Sequence, residues 1–295
     1  MLAVVLSGGG ANGAYEVGAL DYILQCYRPD AYCGVSVGAI NSAFLAQFSH
    51  GKEYAGLVEL EKLWLKLDTS WIYKKWCWGL LWYLPAFWKG SVYNTEPVRN
   101  LLHKHLNVDR LRSSGKLLRI TGVSLNDGEC ATWNEKSPDI VQGVQASSSF
   151  PIFFSPVKIK EIIYSDGGLR NITPLRSAFD LGATKIIVVT CGPQKVDFQK
   201  ENNPSILEQV SRVLDIMCSE ISRDDLRKAE LHNELAANLG NAYDKRWVDI
   251  TVVQPEKSLG DSLDFSPSKN RKLMTLGYAD AKKVFEAKQS GRMKV

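Results

Sequence analysis

Ser36 stands in the pattern G-x-S-x-G, as Gly34-Val35-Ser36-Val37-Gly38. The residues before it, Tyr32 to Val35, read as a short strand, and those after it, from about Val37 to Phe48, as a helix. A strand-to-helix turn this sharp brings the chain past itself, so the positions two before and two after the serine must be small, and Gly34 and Gly38 are. The Ser36 hydroxyl would then project at a helix N-terminus, whose dipole favours a developing oxyanion. The five-residue pattern is common by chance; its weight comes from this setting.

Two further motifs could complete such a site. Ser7-Gly8-Gly9-Gly10-Ala11-Asn12-Gly13 follows a strand and opens a helix, and satisfies G-x-G-x-x-G through Gly8, Gly10 and Gly13. One reading is a dinucleotide turn with pyrophosphate on the helix N-terminus. The other is an oxyanion hole built from the same bared N–H groups. A dinucleotide fold also wants a second strand ending in an acid about twenty residues on. That stretch is Cys26-Tyr27-Arg28-Pro29-Asp30, where the proline and the lack of an apolar run argue against it.

A serine nucleophile needs a base. The histidines are His50, His103, His105 and His232. None follows a strand end or sits in a glycine-rich loop, so a histidine triad is not supported. Ile162-Ile163-Tyr164-Ser165-Asp166-Gly167-Gly168 instead places an acid after a short apolar strand and before two glycines that let the backbone turn. A structural aspartate in a turn is the plainer alternative for Asp166.

The elements that must position these residues alternate as strand and helix. Residues 2–6 read as a buried strand and 13–26 as a helix with Val17, Leu20 and Leu24 on one face. Residues 53–67 form an amphipathic helix. Leu117 to Ser124 and Cys130 to Trp133 flank Asn126-Asp127-Gly128, a hairpin signal. Lys185 to Cys191 reads as a central strand, Ile206 to Ile221 as a long helix, and Trp247 to Val253 as a strand. Ser266-Pro267 opens the last helix with an N-cap and an N1 proline.

Composition excludes other classes. The 295 residues carry 36 Lys and Arg against 32 Asp and Glu, and a net charge of +4 is too weak to argue for nucleic acid. Six cysteines without a C-x-x-C pair, beside four histidines, argue against a zinc site, and reduced, mostly buried thiols are expected. No dense acidic loop suggests calcium. No signal peptide or membrane-spanning stretch is evident, so a cytoplasmic, peripherally membrane-associated protein is expected.

Together the motifs resemble those of the patatin-like phospholipases: Gly8 to Gly13, Gly34 to Gly38, Ala146-Ser147-Ser148-Ser149-Phe150-Pro151, and Asp166-Gly167-Gly168, in family order. Leu263-Asp264-Phe265 and Leu276-Gly277-Tyr278 look like the family's closing helix, so the resemblance covers nearly the whole chain. It implies one domain over residues 1–295, a three-layer α/β/α sandwich around a mostly parallel sheet. It also implies a Ser–Asp dyad that hydrolyses acyl esters of phospholipids or lysophospholipids, with no cofactor and no metal. Carried over by motif, Ser36 is the nucleophile, Asp166 the general base, and the backbone of Gly8, Gly9 and Gly10 the oxyanion hole. Gly13, Gly34, Gly38, Gly167 and Gly168 support the turns. Asn12 stands where many members carry Arg or Lys. Acyl transfer to an alcohol would use the same dyad, and a membrane-binding protein without turnover is the reading from another class.

One segment falls outside these motifs. Six of the eight tryptophans lie between Trp64 and Trp88, and residues 64–95 hold Lys66, Lys74, Lys75 and Lys89 against Asp68. Tryptophan favours the headgroup boundary and lysine favours anionic lipid. A lid or membrane-docking segment at about 64–95 is expected, with Trp76, Trp78 and Trp82 as lipid-docking residues. An aromatic-rich second core is the alternative.

Overall fold

The computed structural model describes residues 1–76, 86–193, 206–239 and 246–290. In chain order the first elements are β1 (Leu2–Leu6), α1 (Gly13–Cys26), β2 (Ala31–Gly34), α2 (Val37–Ala46) and α3 (Glu53–Lys66). Then come β3 (Lys74–Lys75), α4 (Ala86–Lys89), β4 (Tyr93–Asn94), α5 (Glu96–His105) and α6 (Val108–Ser113). The second half contains β5 (Leu117–Ser124), β6 (Cys130–Trp133), α7 (Ile140–Ser147), β7 (Val157–Ile159) and β8 (Ile162–Asp166). It closes with α8 (Leu175–Asp180), β9 (Lys185–Val189), α9 (Ile206–Leu239), β10 (Asp249–Val253) and α10 (Pro267–Gln289).

The main sheet runs β10-β9-β1-β2-β5-β8-β7, with β6 paired to β5. From β10 to β5 every pairing is parallel. β6, β8 and β7 join antiparallel. This mixed, mostly parallel sheet carries helices on both faces. Val4 and Leu6 of β1 point into a core shared with α1, α2, α3 and α10, whereas Ala3 and Val5 point into a second core closed by α8 and α9. Strands buried on both faces have to be apolar throughout, which is why β1 and β9 read as unbroken apolar runs.

Several boundaries differ from the sequence reading, each for a physical reason. The helix expected from 13 to 26 has one apolar face in sequence but is buried nearly all round, because α10 lies across its outer side. Gly18 and Gly277 permit that approach: a Cβ on either would run into the facing helix backbone. β9 stops at Val189, and Cys191 turns under the glycine loop, where its amide donates to Ser7 Oγ at 2.9 Å. α9 continues well past Ile221, to Leu239. The Asn126-Asp127-Gly128 turn does join an antiparallel pair, with Gly128 at φ +78°. Of the described cysteines, all free, only Cys33 and Cys191 are buried, while Cys26 and Cys130 are exposed at element ends.

Candidate active site

Ser36 lies just before α2, with Val35 between it and β2, and holds φ 57°, ψ −127°, a left-handed backbone that a non-glycine residue adopts at a cost of order 1–3 kcal/mol. Its surroundings enforce that conformation. The chain crosses itself so closely that a Cβ on Gly34 would meet the Gly38 carbonyl, and one on Gly38 would meet the Leu6 and Ser7 carbonyls. The Val35 amide donates to Leu6 O at 3.3 Å and the Gly38 amide to Ser7 O at 3.2 Å. The Ser36 amide donates to Ser147 Oγ at 3.1 Å, and that hydroxyl donates to Thr121 O at 2.6 Å.

The pairing of β5 explains how an acid 130 residues away arrives beside Ser36. Ile120 is paired with Gly34 and with Trp133, and Gly122 with Asp166 and with Ala131. Since β6 takes one edge of β5 from Ile120 to Val123, β2 and β8 share the other edge and meet end to end. Gly34 and Asp166 therefore face β5 residues two apart, a separation of about 7 Å along the strand.

Asp166 is fully buried. Burial raises its pKa to about 7, against the opposing pull of the Ser36 hydroxyl and the Gly168 amide. Oδ1 accepts from Gly168 N at 2.8 Å, while Oδ2 has no closed hydrogen bond among the described residues. The Ser36 hydroxyl lowers the carboxyl's pKa but closes no hydrogen bond with Oδ2.

The glycine loop lies against the same point. A Cβ on Gly8 would come within 3.2 Å of the Ser36 Cβ. The Gly8 amide itself is engaged, donating to Ile172 O at 3.0 Å. The amides of Gly9 and Gly10 have no acceptor among the described residues. Gly10 adopts φ +57°, and a side chain there would strike the Ser262 carbonyl.

Behind the loop sit Cys191 and Glu16, both buried. Burial pushes the Glu16 carboxyl up to about 8. Its Oε2 accepts from Asn41 Nδ2 at 2.9 Å, and Asn41 Oδ1 accepts from Trp64 Nε1 at 3.0 Å. This chain of bonds ties α1, α2 and α3 together beneath the site. Buried polar atoms need such partners, and Glu16, Asn41 and Trp64 carried no sequence signal for it.

Ser36, Asp166 and the glycine loop open into a cavity of about 690 Å³. Much of its wall is apolar, including Ile40, Ile72, Phe150, Phe153, Phe154 and Phe265. A smaller apolar cavity of about 60 Å³ adjoins it, sharing Val37, Ile40, Ile72, Val98 and Phe265. No histidine lines the larger cavity among the described residues. His50 bonds Lys116 at the end of the strands opposite Ser36, and His232 packs at a tilt on Phe179. No group of three or more His, Cys, Asp or Glu among the described residues could hold a metal ion.

The aromatic segment divides. Trp64 is buried in the core and stacks on Phe265. Trp76 is half-buried, donates Nε1 to Ser91 O at 2.9 Å and lies under the Lys89 ammonium. Trp71 and Trp88 are exposed. Trp78 and Trp82 lie outside the described residues.

The sequence profile of the patatin-like phospholipases matches residues 4–179, a span holding the Ser36 turn, the glycine loop and Asp166. The chain belongs to that family. Among similar proteins is the uncharacterized protein YqhO of Bacillus subtilis (strain 168), 26% identical over 234 residues, 72% of this chain and 79% of that one. Another is the probable lipid hydrolase 463L of Invertebrate iridescent virus 6, 23% identical over 187 residues, 58% of this chain and 61% of that one. The structure of VipD from Legionella pneumophila aligns with 97% of this chain and 66% of its own, at 13% identity and a TM-score of 0.47. The chain therefore spans a little under two thirds of 463L and of VipD. Membership of the patatin-like phospholipases supports lipid hydrolysis as the activity and a lipid as the substrate. No helix among the described residues is long and apolar enough to cross a membrane.

Proposed function

We propose that this patatin-like protein hydrolyses carboxylic esters of phospholipids or lysophospholipids through a Ser36–Asp166 dyad. The observation that carries the reading is the Ser36 hydroxyl, held on a strained turn, beside a buried carboxyl whose pKa lies near 7, at the wall of an apolar cavity. A base poised near neutral pH is what proton transfer from a serine requires.

Asp166 accepts the hydroxyl proton as Ser36 Oγ attacks the ester carbonyl. The Gly9 and Gly10 amides, aided by the N-terminal dipole of α2, receive the oxyanion, an effect worth about 3 kcal/mol per donor. Gly8 contributes by holding the loop, since its own amide is spent on Ile172. Asp166 then protonates the leaving alcohol. Water attacks the acyl-enzyme with the same carboxylate as base, which releases the fatty acid. The acyl chain lies along Ile40, Ile72 and Phe265, toward the smaller cavity. Trp76, Trp78 and Trp82 dock the protein on the membrane surface, with Lys74, Lys75 and Lys89 favouring anionic lipid.

Labelling with a fluorophosphonate tests the reading. Turnover of a soluble p-nitrophenyl ester should fall in step with labelling of Ser36, and turnover that survives complete labelling would contradict it. Replacing Trp76, Trp78 and Trp82 with Ala should reduce co-sedimentation with phospholipid vesicles and spare the soluble ester. Equal vesicle binding by the triple variant would remove the docking role.

A further inference from the structure

α9 contributes Arg212, Cys218, Ser219 and Ser222 to the wall of the cavity. Further along the same helix, Asp225 reaches the loop that follows Asp166-Gly167-Gly168. Its Oδ2 accepts the backbone N–H of Ile172 and of Thr173, both at 3.0 Å. With its side-chain amide turned to satisfy its donors, Asn171 reaches the same oxygen at 3.0 Å. Ser222 Oγ lies 3.1 Å from Thr173 Oγ1, and Thr173 is fully buried.

The Thr173 N–H and the Ile172 C=O belong to one peptide group. On one side that group donates to Asp225; on the other it accepts the Gly8 amide at 3.0 Å. Hydrogen bonds in such a chain polarise one another, and the plane of the shared peptide fixes both. The Ile172 side chain lies where a Cβ on Gly8 or Gly168 would meet it at 3.0 and 2.8 Å, so a rotation of this residue would be felt by the oxyanion loop and the Asp166 turn together. Burial pushes the Asp225 carboxyl up to about 6, against the pull of the two amides. The charge is held there at a cost, and what it supplies is a fixed acceptor.

We propose that Asp225 is a positioning residue for the oxyanion loop. It fixes the Ile172–Thr173 peptide, whose carbonyl holds Gly8 and thereby aims the Gly9 and Gly10 amides at the ester carbonyl. The seat of α9, a wall of the lipid cavity, is by this route coupled to the alignment of the oxyanion donors. The inference rests on the hydrolase reading given above.

The test is turnover of p-nitrophenyl butyrate by the full chain, expressed per active site titrated with a fluorophosphonate. Asp225→Ala should lower kcat per titrated site by about 10-fold to 100-fold, the scale of a small misplacement of catalytic groups, with KM within about threefold. Asp225→Asn, whose amide oxygen can accept the same two N–H groups, should recover most of the loss. A residue that only docked α9 would change the number of titratable sites and leave kcat per site alone. If the alanine protein does not fold, Asp225→Glu, which keeps the charge and displaces the acceptor by one methylene, is read in the same way. Wild-type kcat per site in the displaced or deleted variant would overturn the proposal. Turnover by wild type that Ser36→Ala leaves intact would overturn the hydrolase reading itself.

Discussion

The Ser147 hydroxyl accepts the Ser36 amide and donates to the Thr121 carbonyl, and so pins the backbone of Ser36 to β5. Both bonds are buried, and Ser147 has no exposed surface. Ser147→Ala would strand a buried N–H and a buried C=O. We expect it to lower unfolding free energy by about 1–3 kcal/mol and ester turnover by about tenfold or more as the turn at Ser36 relaxes. Chemical denaturation beside p-nitrophenyl ester kinetics checks this, and wild-type values for both would contradict it.

The Asp166 carboxyl gives the enzyme a pH signature with a definite sign. Its pKa is raised from 3.8 to about 7, chiefly by burial. In the proposed role of base it must be ionised, so kcat/KM should rise with pH as a single ionisation near 7 and level off above it. The same shift makes the folded state hold a proton that the unfolded chain has already lost. Stability contributed by this group is fully present below about 3.8 and is lost as pH rises through about 7. Asp166→Asn should therefore be inactive yet more heat-stable than the wild type at pH 8, with a smaller gain at pH 5.5. Glu16, raised to about 8, acts with the same sign in both proteins and cancels in the comparison. An activity profile flat from pH 5.5 to pH 8 would contradict the assignment.

The sequence shows the parts whose signals are local. The glycines around Ser36, the apolar runs of β1 and β9 and the Asn126-Asp127-Gly128 turn each declare a backbone geometry within a few residues. Asp166 was legible as an acid before two glycines, but its place was not. It depends on β2 and β8 sharing one edge of β5, which only the completed sheet determines. Ser147 was legible as one serine of the Ala146-to-Pro151 motif, without a role, and Asp225 lies past the helix read from Ile206 to Ile221. Their roles arise from bonds spanning 111 and 53 residues in sequence. The Gly8 amide carries the same lesson: its partner, Ile172, comes from a loop 164 positions later, so the glycine motif alone could not tell a free donor from an occupied one.

The smaller apolar cavity should act as a measure of chain length. It adjoins the Ser36 cavity through Val37 and Ile40, and Leu63 lines it without lining the larger one. Each methylene buried is worth about 0.8 kcal/mol, close to fourfold in an equilibrium constant. Leu63→Phe, which fills the space, should lower kcat/KM for long-chain p-nitrophenyl esters relative to the butyrate by about tenfold and leave the butyrate rate near wild type. An unchanged chain-length profile in the folded variant would mean that the cavity is a packing void.

The most direct measurement is fatty-acid release from mixed phospholipid vesicles by the wild-type protein and by Ser36→Ala, with both shown to be folded. Release by the wild type is expected, with a loss of about 10³-fold or more in the variant, the scale set by removing a catalytic nucleophile. Equal release by the two proteins would contradict it.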